Sequence, residues 1–133
     1  MTIISPFLVR ICSKIFGFSC GAFTIFPFIF VRDQEILNNK EYMNHERIHL
    51  WQYMETLVIG LIIIALCEYL YAKMFLKMKA LDAYYFMSHE QEAHQNDTNM
   101  EYLKQRKIFS LFYYINPKNK KKFTLVDGKR VIM

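Results

Sequence analysis

Cysteine is scarce in this chain: Cys12, Cys20 and Cys67 are the only three in 133 residues. An odd number without paired spacing excludes a disulfide framework and a thiolate metal site, and leaves them as small apolar residues in a reducing compartment. A sustained apolar run is missing too. The charge-free part of the most apolar helical stretch, Thr56 to Cys67, is twelve residues long, whereas crossing a bilayer takes ~20. Any extension meets Glu68, and a carboxylate inside hydrocarbon is costly. The N-terminus resembles a secretory signal only loosely, because Arg10 and Lys14 interrupt the apolar run that such a signal needs, so no cleavage is expected. There is no internal repeat, and at this length the chain has room for one domain with a modest core.

Charge is sparse and unevenly placed. Charged residues make up 22% of the chain against 53% hydrophobic and 17% aromatic, near the apolar end of soluble proteins. A membrane surface is therefore in play. Residues 1–116 hold eleven Lys/Arg and eleven Asp/Glu, so the net charge of +5 belongs to residues 117–133, with six basic side chains against Asp127 alone. Such a basic C-terminal tail suits an anionic lipid surface, or simply keeps the end of the chain solvated. Nucleic acid, the other polyanion it can meet, is not expected as a partner.

Periodicity orders the rest. Ile4, Phe7, Leu8, Ile11, Ile15 and Phe16 recur at helical spacing, which describes an amphipathic segment for a bilayer surface or, the preferred reading, for covering a core. The run "AFTIFPFIFVRDQ" is β-branched and aromatic and reads as one short strand, which Pro27 confines to a sheet edge. Asn38 with Glu41 three residues on marks a helix start, and nothing but Gly60 interrupts the helical pattern for roughly thirty residues from Met43. A second helix starts at Ser88, with Gln91 as its third residue, and runs to Asn116-Pro117. In "FTLVDGKRVIM", Asp127-Gly128 sits between two β-prone runs, which fits a hairpin or a disordered end. The expected organisation is a single helical domain over 1–116 followed by a basic segment over 117–133.

The chemistry is concentrated in "NHERIHLWQ". Side chains four apart on a helix lie one turn above each other, so His45 and His49 can aim two imidazoles at one ion, as tetrahedral zinc requires. Glu46 is rotated about 100° from His45 around the helix. That is poor for a ligand and good for a general base acting on a water at the metal. Zinc catalysis needs a third protein ligand and an open fourth position. "SHEQEAHQND" supplies the candidates, since Glu90 shares a helix face with the small Ala93 and is the preferred ligand. Glu92 points about 160° away from Glu90, so only one of the two can serve, and the other is solvated or supports a ligand from behind. His94 can orient a ligand or be one. Tyr84, Tyr85 and His89 are candidates to stabilise an oxyanion. Gln52, close to His49 in the same helix, can hydrogen-bond near the site. A carboxylate-bridged di-iron site is disfavoured, because it needs a second E-x-x-H and the position before His94 is Gln91.

"HERIH" followed some forty residues later by "EQEAH" resembles the pattern of gluzincin-type zinc metallopeptidases, and of small membrane-associated bacterial proteins that carry the same two motifs. The resemblance covers roughly 44–97. It implies His45 and His49 as zinc ligands, Glu46 as base, Glu90 or alternatively Glu92 as third ligand, and a minimal zincin-like fold acting on a peptide or protein substrate. It also implies that an extended strand near the catalytic helix, here "AFTIFPFIFV", binds substrate backbone. The aspartate such proteins place one turn after the ligand glutamate is absent, since His94 follows Glu90 and Asn96 follows Glu92 at that spacing.

If the third ligand lies in the second motif, residues 50–89 must leave the metal and return to it as a helical hairpin. Lys73, Lys77, Lys79 and Asp82 on the returning arm would each cost ~2–3 kcal/mol at mid-bilayer. The expectation is thus a mainly α domain, membrane-associated at the cytoplasmic face, whose apolar hairpin is buried or dips into one leaflet. A single span over Leu57–Ala72 is the alternative and would break the site. The competing function is a non-enzymatic helical protein that binds a membrane surface or a partner.

Overall fold

The computed structural model describes residues 1–126 and 129–132. It is mainly α, as its helical periodicities predict. Three strands form one small sheet. β1 (Thr2–Ile4) runs parallel to β3 (Phe28–Val31), and β2 (Ala22–Ile25) runs antiparallel to it in the order β1-β3-β2. The apolar run read as one strand is therefore a hairpin. Pro27, which cannot donate to a ladder, occupies the turn, after a cis Phe26–Pro27 bond. The central strand is β3, and β2 is left at the edge. Between β1 and β2 lies α1 (Pro6–Phe16), capped by the Ser5 hydroxyl and ended by Gly17 at φ 80°. Of α1 only Val9 and Cys12 are buried, whereas Phe7, Leu8, Ile11, Ile15 and Phe16 are exposed. The apolar stripe seen in the sequence faces outward.

After α2 (Gln34–Asn38) comes α3 (Lys40–Glu55). Its cap is Asn39, whose side chain accepts from Glu41 and Tyr42, one residue beyond the predicted start. Ile29 and Val31 of β3, Ile36 of α2 and Met43 of α3 make the local core. This seats α3 across the sheet, beside β2. Its buried face is largely polar, with Glu46 toward β2 and Asn44, His45, His49 and Gln52 toward α6 and the residue that follows it.

The predicted thirty-residue helix does not continue. It breaks at 56–58, and α4 (Ile59–Met74) leaves at 110° to α3. Val58 N donates to Tyr53 O at 2.7 Å, the six-to-one bond of a Schellman ending. The left-handed position that such an ending favours for glycine is taken by Leu57 at φ 56°, followed by Val58 at φ 64°. α4 then turns back through α5 (Ala80–Phe86) to α6 (Ser88–Asn96). Among the described residues no single helix is long and apolar enough to cross a membrane, so the segment Leu57–Ala72 is not one spanning helix; only α3 and α4 taken together, bent by 110°, have the length and composition.

α6 begins at Ser88 as predicted but is capped from outside: Glu68 of α4 accepts from Ser88 N at 3.0 Å and from the Ser88 hydroxyl at 2.6 Å. A carboxylate at a helix N-terminus meets both the free N–H groups and the dipole. α6 ends at Asn96, far short of Asn116. Asn44 of α3 donates to Asp97 O at 2.8 Å and to Asn99 O at 3.1 Å, so carbonyls at the helix end are satisfied from another element. A short α7 (Tyr102–Gln105) and two 3-10 turns (Ser110–Ile115, Pro117–Asn119) follow. The basic segment folds back as an antiparallel pair, β4 (Phe123–Val126) with β5 (Lys129–Ile132). The Asp127-Gly128 turn lies outside the described residues. Gln91 fixes this segment by accepting from Lys121 N and donating to Lys121 O, each at 2.8 Å. Lys120 is turned inward onto Glu68.

Candidate metal centre

α3 and α6 bring all four histidines around one carboxylate. Glu90 is buried, with Oε2 3.3 Å from His45 Nε2 and Oε1 3.3 Å from His49 Nε2. The two Nε2 atoms are 3.1 Å apart. His94 Nε2 lies 3.2 Å from Glu90 Oε2, and His89 Nε2 lies 3.4 Å from Oε1.

The far sides of the rings assign their protons. His45 Nδ1 is 3.2 Å from Asp97 Oδ2, an acceptor only, so Nδ1 carries the hydrogen. His49 Nδ1 is 2.8 Å from Gln52 Oε1, and the same amide donates through Nε2 to Glu92 Oε2 at 2.7 Å and to His89 O at 3.0 Å. The amide is thereby oriented, and His49 also donates from Nδ1. Both Nε2 lone pairs then face each other and the Glu90 carboxylate. Three electron-pair donors at one point are reconciled only by a proton or a cation. The titration directions agree: burial depresses the imidazole of His45, but the adjoining carboxylates of Asp97 and Glu90 outweigh it and raise it to about 10. His49 is also raised, burial being outweighed by the Glu90 charge. Glu90 is held well below the carboxylate range, because the histidines outweigh the effect of burial.

The donor set fits a metal ion. Tetrahedral zinc with bonds of ~2.0–2.1 Å separates its ligand atoms by about 3.3–3.4 Å, and His45, His49 and Glu90 offer theirs at 3.1 to 3.3 Å. Among the described residues, Glu90 Oε2 and both ring nitrogens of His94 have no hydrogen-bond partner. His45, His94 and Asp97 form a second, overlapping group of metal-ligating atoms.

Glu92, the alternative ligand, is elsewhere. Fully buried, it accepts from Tyr102 at 2.9 Å and pairs with Arg106, which also pairs with Glu55. Its half-turn offset on α6 points it behind the site, where it holds Gln52. Glu46 is buried and lines a cleft of about 580 Å³ together with His49, His89, Glu90, Tyr53 and Tyr84. The Thr24 hydroxyl of β2 donates to Glu46 Oε2 at 2.5 Å, and Tyr53 donates to Thr24 O at 3.1 Å. Of the three oxyanion candidates, Tyr84 and His89 reach this cleft, whereas Tyr85 packs between His94 and Phe123.

Thr24 and Asp97 are the site residues that sequence reasoning missed. Each carried a signal. Thr24 is the only polar side chain in 22–31, and Asp97 lies seven residues after Glu90, two helical turns along the same face. Asp97 stands behind His45, seven residues after Glu90 and not one turn after it. It is itself held by Arg130 of β5. No protein-family model matches the chain, and comparisons with curated proteins and with solved structures find no match either.

Proposed function

We propose that the chain is a zinc-dependent hydrolase, a metallopeptidase of minimal zincin-like form, with His45, His49 and Glu90 as ligands and Glu46 as general base. The observation that carries this reading is the convergence of two oriented Nε2 lone pairs and one buried carboxylate beside a second carboxylate in the same cleft. A bound zinc supplies Lewis acidity and makes water acidic near neutral pH. Asp97 and Gln52 hold the two imidazoles in the ligating tautomer. Glu46, steadied by Thr24, accepts the proton of the attacking water and returns it to the leaving amine. The backbone groups of Ala22 and Thr24 turn to the free edge of β2, because Arg32 N bonds Gly21 O and the ladder alternates from there. An extended peptide can pair at that edge, although Tyr53 already uses Thr24 O.

The test compares the wild type with Glu46→Gln. Zinc is expected at one equivalent in both, with peptide hydrolysis only in the wild type; equal hydrolysis, or no zinc in either, sinks the proposal. A second reading, a closed metal site without catalysis, is favoured by His94, whose Nε2 reaches the same Glu90 carboxylate. Cobalt substitution separates the two. An open site changes its visible spectrum when azide is added, and a closed one does not.

A further inference from the structure

The cleft that holds Glu46 and Glu90 is walled on two sides by α1 and α4, through Leu8, Ile11, Ile15, Ile62 and Leu66. These lining residues are themselves exposed, so they form its mouth. The same two helices and the end of α4 expose further apolar side chains. Phe7, Ile15, Ile59 and Phe75 are each about two-thirds exposed or more (69%, 76%, 67% and 72%). Exposed apolar side chains on both helices that wall one cleft mark an interaction surface.

Charge selects its occupant. Within 6–16 and 59–79 the only carboxylate is Glu68, turned inward onto Ser88 and Lys120, whereas Arg10, Lys14, Lys73, Lys77 and Lys79 are all exposed. Exposed cations flanking an apolar face, with no exposed carboxylate among them, match the headgroups of an anionic leaflet. Sixteen residues give α4 a length of about 24 Å, enough to lie in an interface and too little to cross.

We propose that α1 and α4 form a lipid-facing platform that seats the mouth of the cleft in one leaflet of an anionic bilayer, so that the site receives apolar chains from the membrane. What happens to such a chain rests on the hydrolase reading. The seating does not, and it is measured without substrate.

Purified protein is floated with phosphatidylcholine vesicles, with and without phosphatidylglycerol. The wild type and Glu46→Gln are expected to float equally, and only with the anionic vesicles. Phe7→Ser combined with Ile63→Ser, two exposed positions outside the cleft lining, is expected to weaken binding by about a hundredfold, since each lost apolar contact is worth on the order of tenfold. A wild type that stays in solution, or a double variant that floats undiminished, overturns the proposal. So does a wild type that ignores vesicles and dimerises through this face.

A second measurement keeps the fold intact, placing a tryptophan at Ile62 or Ile63 in a Trp51→Phe background. Lipids brominated in the acyl chain are expected to quench both positions. Quenching at 63 without 62 overturns the opening of the cleft to lipid. Loss of hydrolysis in Glu46→Gln with flotation unchanged bears on the chemistry alone.

Discussion

Replacing Asp97 by asparagine tests the orientation of the metal ligands most directly. Asp97 is 3% exposed and accepts from His45 Nδ1 at 3.2 Å, which leaves the lone pair on Nε2, facing Glu90 and His49. Asparagine keeps the shape but brings an amide that can donate to Nδ1, stabilising the tautomer with its hydrogen on Nε2. That hydrogen would point where the metal must bind. Loss of a partner behind a metal-binding imidazole costs 10–100-fold in affinity, by the usual range of about ten to a hundred, which is about 1.4–2.8 kcal/mol. A chelator-competition titration reads the zinc Kd, and circular dichroism of the chelated protein checks that the fold persists. The expected result is a weakening within that range at unchanged stoichiometry. A Kd unchanged within about twofold refutes the argument that Asp97 sets the tautomer. A fall from two equivalents to one also refutes it, because Asp97 would then be a ligand of a second ion with His45 and His94.

Other expectations follow from the same geometry. In the chelated protein the His45 imidazole is raised from 6.5 to about 10, so its contribution to stability is complete below pH 6.5 and disappears as the pH rises through about 10. Glu90 and Asp97 are lowered, so theirs is present above the ordinary carboxylate range and is lost on acidification. Zinc competes with the site's protons, so the rise in melting temperature on adding zinc should grow from about pH 6 to about pH 9; a flat or shrinking gain contradicts the donor assignment. Arg106→Met leaves Glu55 and Glu92 buried without their cation and should cost about 3–5 kcal/mol. For a chain of this size that lowers the melting temperature by roughly 10–20 °C, and a drop of only a few degrees would show that the pair is dispensable. Leu57→Gly removes a left-handed leucine whose side chain is 84% exposed. It should gain about 0.5–1 kcal/mol in denaturant titration, the left-handed penalty of about 1–2 exceeding the entropic cost of glycine; a loss refutes the strain at the break.

What could be read from the chain and what could not divides along physical lines. The three donors were legible because helical phase is a local property: His45 and His49 share a face, and Glu90 and Glu92 cannot. The break at 56–58 was not, because no glycine or proline marks it and the left-handed residue is a leucine. Beyond the break, α4 carries Glu68 to Ser88, a contact between distant residues that local sequence does not announce. The end of α6 was hidden for the opposite reason. Asn96, Asp97 and Asn99 are tolerable in a helix, and it is Asn44, from fifty residues earlier, that takes the carbonyls of Asp97 and Asn99. Pro27 was seen and misplaced, since a residue that excludes a central strand equally well makes a turn between two.

Glu68 ties together parts of the molecule that otherwise answer to different surroundings. It sits midway along the greasy arm and grips the first turn of the helix bearing Glu90, two residues from that carboxylate. A sideways movement of the arm by an ångström or so would strain those two hydrogen bonds, and its pull would arrive at a donor that must hold its place within tenths of an ångström. Whatever the arm touches, an ion held at Glu90 would feel.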